Sequence, residues 1–233
     1  MRRRLLLLLA MLAAAPVEAT SRRFLTDSEA QTYRGVGRLA IEGRRFCTAT
    51  LISERHAVTA AHCLFHPTTK RQIRLQSAIF VAGLRNGAFA ARRRVVGAST
   101  PEGYVFDGQA TLARIQRDVA IIELDSAIAP DAATPYPLAH GAFGEGSIVS
   151  YTRNRAHAPS IDGGCAVRRL KGSVAAIGCR VDFGASGAPV FVDGPDGPAI
   201  VAVVSATFED LGGPQALAVI ASPMVEQLRA QAY

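Results

Sequence analysis

Between residues 35 and 220 the chain is a succession of short apolar or alternating runs broken by turn residues, with no helical run between them. Gly35–Ile41, Phe46–Ile52, His56–Ala60, Ala78–Ala82, Arg93–Gly97 and Asp118–Leu124 form a first series. Ser147–Thr152, Cys165–Leu170, Ser173–Cys179, Pro189–Asp193, Ala199–Ser205 and Ala216–Ile220 form a second. Side chains alternate between the two faces of a strand, so each run can bury one face, and many such runs at close spacing predict an all-β barrel or sandwich. Asp125–Leu138 separates the series, carries Pro130, Pro135 and Pro137, and reads as a linker. The end of the chain differs. Ser222 suits a cap, Pro223 a first turn, and Val225 and Leu228 share one face, which predicts a helix through Ala230. Hydrophobic residues at 49% suffice for a sizeable core and exclude disorder of the whole chain.

The first residues have a different logic. Arg2, Arg3 and Arg4 precede a continuously apolar run, Leu5–Ala15, which Pro16 breaks. Val17-Glu18-Ala19 then sets small residues at the two positions a signal peptidase reads. The run falls well short of the roughly 20 residues a membrane span requires. The expectation is a signal peptide over 1–19, cleaved after Ala19, leaving no stable membrane span. Together with the Arg- and Ala-rich composition and compact loops, this suggests a bacterial protein, secreted or periplasmic. The 26 Lys+Arg against 19 Asp+Glu give a charge of +7, and loss of Arg2, Arg3, Arg4 and Glu18 leaves +5. That charge is spread. Arg92–Arg94 is one cluster, expected on a solvated face, and aromatics are only 6%, so no nucleic-acid partner is expected. Export makes Cys47, Cys63, Cys165 and Cys179 disulfide candidates, with three pairings open.

Three stretches carry chemistry: Phe46–Ser53 with Ala57–Cys63, Arg117–Leu124, and Phe183–Phe191. They supply His62, Asp118 and Ser186 in that order. A serine hydroxyl is a weak nucleophile at neutral pH, and an imidazole can take its proton and later return it to a leaving group. A buried carboxylate sets the imidazole tautomer and stabilises the imidazolium. Gly184 and Gly187 flank Ser186 and allow a tight turn, in which the backbone N–H groups of Gly184 and Ser186 are the natural oxyanion donors. Asp125, at the other end of the same run, competes with Asp118 but reads as a turn residue. His62, Cys63 and His66 could suggest zinc, but no further ligand pair stands nearby, and neither metal nor cofactor is expected.

Thr59-Ala-Ala-His-Cys63, Asp118-Val-Ala-Ile-Ile-Glu-Leu124 and Gly184-Ala-Ser-Gly-Ala-Pro189 resemble the three signature blocks of trypsin/chymotrypsin-like serine proteases. The order His, Asp, Ser separates this pattern from subtilisins and α/β-hydrolases. The resemblance covers about residues 35–231 in organisation, with close matching confined to the three blocks. It implies two antiparallel six-stranded β-barrels with a C-terminal helix in one protease domain, 20–233. The first barrel would cover about 35–124, the linker 125–138, and the second barrel with its helix 139–233. It further implies a monomeric serine endopeptidase whose partner is a polypeptide substrate and whose site is the cleft between the barrels. Cys47 matches a bridge to Cys63, which leaves Cys165 for Cys179. Ser205 resembles an auxiliary serine that supports the aspartate and borders the cleft.

Two positions depart from the family pattern. Ala185 stands where the family commonly has an aspartate that pairs with a newly freed N-terminal amine, and Arg34-Gly-Val-Gly37 is a poor match for an activation site. The loop is therefore either pre-formed or collapsed. In the second case the chain is an inactive trypsin-like scaffold that binds proteins. Arg180, six before the serine, stands where trypsin-like specificity places an aspartate, which argues against basic substrates and would favour acidic ones. A basic surface-binding protein remains a third class, resting on net charge alone.

Overall fold

The computed structural model describes residues 22–42, 45–141, 143–210 and 213–231. The leader expected at 1–19 lies outside the described residues. Among the described residues, no helix is long and apolar enough to cross a membrane.

The first series folds as β2 (Val36–Ile41), β3 (Arg45–Leu51), β4 (His56–Thr59), β5 (Ile79–Ala82), β6 (Ala91–Ser99) and β7 (Ala120–Leu124). These close an antiparallel barrel in the order β2-β3-β4-β7-β6-β5. The second folds as β8 (Gly144–Ser150), β9 (Ser160–Lys171), β10 (Val174–Ile177), β11 (Pro189–Gly194), β12 (Gly197–Asp210) and β13 (Gly213–Ile220). Their order, β9-β10-β13-β12-β11-β8, closes through the β8–β9 pairing. Closure pairs most of each sheet's edges, leaving the start of β9 able to take one further short strand. The fold is thus two six-stranded antiparallel barrels, as the family resemblance implies.

Two elements ahead of the barrels have no counterpart in the strand pattern. They are β1 (Arg23–Phe24) and α1 (Asp27–Thr32). Helix α1 is started by a reciprocal cap between Thr26 and Glu29, and β1 pairs with β9 through Arg23↔Ile161 and Phe24↔Ser160. A short helix, α2 (Leu112–Ile115), precedes β7. The C-terminal helix, α3, covers Ala221–Gln231 and begins one residue before the Ser222 cap that the sequence suggests. There Ser222 Oγ hydrogen-bonds with His140 Nδ1 at 2.8 Å.

Each barrel has its own core. Leu39, Leu51, Leu64, Phe80, Ile122 and Leu124 fill the first. Ile148, Val167, Ile177, Val190 and Val204 fill the second, with Ala185 among them. A third cluster lies between the barrels and under α3, and includes Val58, Val119, Tyr151, Phe191, Val225 and Leu228. The segment 125–138 has no strand, yet it is packed: Ile128 and Tyr136 are buried, and Arg93 donates to the carbonyls of Ser126 and Ala127. The middle arginine of the 92–94 cluster therefore ties β6 to this segment, while Arg92 and Arg94 face solvent.

Candidate active site

His62 lies on a single 3-10 turn, Ala61–Leu64, directly after β4. A disulfide joins Cys47 on β3 to Cys63 beside it. Asp118 follows α2, and its N–H donates to the Ile115 carbonyl at 3.1 Å, which sets the carboxylate just before β7. The two residues meet twice. His62 Nδ1–H donates to Asp118 Oδ2 at 2.7 Å, and the His62 backbone N–H donates to Oδ1 at 2.8 Å.

Two further hydroxyls complete the carboxylate's shell. Tyr104 Oη–H donates to Oδ1 at 2.9 Å, and Ser205 Oγ–H donates to Oδ2. Asp118 is 0% exposed. Burial alone opposes its ionisation, but the facing His62 and the donated hydrogen bonds outweigh burial and hold its carboxyl below the ordinary value. Burial, reinforced by the same carboxylate, pushes the Tyr104 phenol far up, so it stays a donor. With Nδ1–H committed to Asp118, neutral His62 presents the lone pair of Nε2.

His62, Ser186, Gly184, Ser205 and Arg180 all line one cleft of about 830 Å³. Residues from both barrels bound it, and the sequence-derived candidates thus lie together. Asp125 instead follows β7 on the surface, exposed.

The turn at Ser186 is held from several sides. The Phe183 carbonyl accepts from Arg153 N–H at 2.7 Å, and the Ala185 carbonyl accepts from Ala188 N–H at 2.9 Å. In a trans peptide the C=O and the following N–H point in opposite directions. The Gly184 and Ser186 N–H groups therefore point away from those partners, and neither donates to a protein acceptor among the described residues. Gly184 has φ +100°, and a Cβ there would stand 2.4 Å from the Phe46 ring. Gly187 has φ +80°, and a Cβ would stand 2.2 Å from Thr59 Oγ1. Only glycine fits either position. Thr48 on β3 crosses from the first barrel: its hydroxyl donates to the Gly184 carbonyl at 3.0 Å and its N–H to the Ser186 carbonyl at 2.9 Å.

Ala185 is 0% exposed, and its methyl packs in the second core. The second disulfide, Cys165–Cys179, anchors the start of the loop that leads to this turn. Cys47, His62 and Cys63 place potential ligand atoms within 4.8 Å of one another. Both sulfurs are joined to each other, which leaves the imidazole as the one unbonded donor of the three.

Tyr104, Thr48 and Phe106 were not evident from sequence. Phe106 stacks near His62, with ring centres 6.4 Å apart, and is flanked by Lys70 and Arg114. Tyr104 and Phe106 lie in a stretch without periodicity, and Thr48 reads as an ordinary strand residue.

Two closed six-stranded antiparallel barrels with a cleft between them, lined by His62 from one and Ser186 from the other, with Asp118 buried behind His62, have the architecture of the trypsin-like class of proteins. The chain belongs to the trypsin family: the model of the family described as Trypsin matches residues 26–221. Among solved structures, one described as "Structure of Glu endopeptidase in complex with MPD" is similar in fold. It has a TM-score of 0.75 and 17% identity, and the match covers 94% of this chain and 100% of that one. No curated protein matched the chain by sequence.

Proposed function

We propose that this chain is an exported serine endopeptidase that hydrolyses peptide bonds through an acyl-enzyme. One observation carries the reading: His62 holds the fully buried Asp118 carboxylate through both its ring Nδ1 and its backbone N–H, in the cleft that Ser186 also lines. Ser186 Oγ attacks the scissile carbonyl while His62 Nε2 takes its proton. The developing oxyanion is met by the N–H groups of Gly184 and Ser186. His62 returns the proton to the leaving amine, and a water repeats the sequence to release the acid. Asp118 keeps the tautomer, and Ser205 and Tyr104 keep Asp118 in place. Ala185 removes the carboxylate that many relatives carry beside the nucleophile. In its stead Arg153, Ala188 and Thr48 hold the turn, which supports a pre-formed site over a collapsed one.

The cleft also bears on substrate choice. Arg45, Arg153 and Arg180 line it, and none of the three has a carboxylate within 4.0 Å among the described residues. Guanidinium groups pair bidentately with carboxylates, so the reading includes a preference for acidic side chains near the scissile bond. Cleavage of a peptide library would show acidic residues enriched; enrichment of Lys or Arg would reject the preference. Two disulfides and the leader-like start support export.

The deciding experiment is labelling of folded, leader-free protein with an alkyl fluorophosphonate. Covalent modification of Ser186, lost in Ser186→Ala, supports the reading. A folded protein that does not label would instead mark a non-catalytic, protein-binding scaffold.

A further inference from the structure

We infer that Arg22, in the segment ahead of both barrels, is a positioning residue that braces the oxyanion turn through Asp182. The inference rests on the serine-protease reading of the cleft.

The contacts are as follows. Arg22 Nε donates to Asp162 Oδ2 at 2.8 Å, one terminal nitrogen donates to Asp182 Oδ2, and the other donates to the Arg180 carbonyl. Arg22 can reach all three because the next two residues, Arg23 and Phe24, add to β9 beside Asp162. Asp162 is 4% exposed and belongs to β9. Arg180 and Asp182 belong to the loop between Cys179 and Ser186 and line the cleft. One planar guanidinium thus joins a fixed strand of the second barrel to two points of a loop whose only covalent anchor is the Cys165–Cys179 bridge.

Asp182 is also the first residue of the turn that shapes the site. Its carbonyl accepts from Ala185 N–H at 3.0 Å, which closes Asp182–Ala185 around Gly184. The other constraints on the turn act later along it, at the carbonyls of Phe183, Gly184, Ala185 and Ser186. Arg22 is thus the constraint on the turn's first residue, acting on its side chain. The buried Ala185 methyl leaves no carboxylate beside the nucleophile, so the anionic handle of this turn stands three residues earlier and meets an internal guanidinium. Ionic ordering of the turn then comes from a side chain near the N-terminus and needs no free amine.

Asp182→Asn separates this brace from simple stabilisation, because it leaves the buried Arg22–Asp162 pair intact. The readout is the labelling rate with a small uncharged alkyl fluorophosphonate, which reports the nucleophile and oxyanion donors without using the charged walls of the cleft. Asp182→Asn should slow labelling about 10-fold or more, and lower kcat for a neutral peptide with KM little changed. Asp182→Glu should recover part of the rate. Arg22→Ala combined with Asp162→Asn, which avoids an unpaired buried carboxylate, should slow labelling similarly. Adding Asp182→Asn to that pair should cost nothing further, because one contact cannot be lost twice. Arg23→Ala, which removes the exposed contacts with Glu29 and the Phe24 carbonyl and touches neither Asp162 nor Asp182, is the control and should stay within about twofold of the parent. Labelling of Asp182→Asn within twofold of that control would overturn the brace, as would full additivity of the variants. Absence of labelling in the parent would instead overturn the protease reading.

Discussion

Asp118 shows how much chemistry one buried carboxylate can organise. It accepts from His62 twice, from Tyr104 and from Ser205, so its negative charge is compensated by hydrogen bonds where it is fully buried. Asp118→Asn keeps the shape but turns one acceptor into a donor and allows the wrong imidazole tautomer. Peptide hydrolysis should fall about 10⁴-fold, measured as kcat on a peptide ester or amide. The same group gives a pH signature. Its carboxyl lies below the unfolded value in the folded chain, so its stabilisation is fully present above about pH 4 and is lost as pH falls through the folded value. Thermal unfolding of Ser186→Ala, used because the proposed activity would otherwise allow self-digestion, should show this acid loss, and the double variant with Asp118→Asn should show less of it. Gly187→Ala tests the turn itself. The new methyl would press on Thr59 Oγ1 and the Thr48 carbonyl at a left-handed φ, and should destabilise the fold by about 1–3 kcal/mol in a urea titration, with labelling of Ser186 impaired.

Element by element, strands were the most legible part of the sequence. Alternating burial in β2 and the nearly continuous apolar run of β7 follow from which faces the barrel covers. Boundaries were less legible. The sequence pattern runs a strand from Asp118, but β7 begins at Ala120, and Asp118 sits in the turn after α2. That shift frees its carboxylate from the alternation of the sheet and lets it face His62. Short elements such as β1, α1 and α2 lack the length for a periodic signal, and β1 exists because β9 offers it a pairing edge. Helix α3 is held by Val225 and Leu228, both 0% exposed against the layer between the barrels. Leu228→Ala should cost about 2–5 kcal/mol of stability by chemical denaturation, with kcat of the folded fraction nearly unchanged, because α3 does not line the cleft.

At the scale of the molecule, the site exists only because two barrels meet, and Thr48 is where they are joined. It accepts from Tyr151 N–H at 3.0 Å and donates to Gly184 and Ser186, all on the other barrel. Thr48→Val keeps the volume but removes the hydroxyl. It should cost about 1–3 kcal/mol for the buried groups left unpaired, and should lower kcat more than a same-sized loss elsewhere in the core. Calorimetry alongside labelling kinetics would separate the two effects. By itself the sequence determined the strand-rich class, the candidate His62, Asp118 and Ser186, and the need for glycine around the serine, because these are local: periodicity, short blocks and turn chemistry. Only the tertiary structure decided how the turn is held. Its partners lie far along the chain, 160 residues apart for Arg22 and Asp182 and 136 for Thr48 and Gly184. A contact of that kind leaves no pattern in either segment, since it comes into being only when barrel closure brings their surfaces within hydrogen-bonding reach.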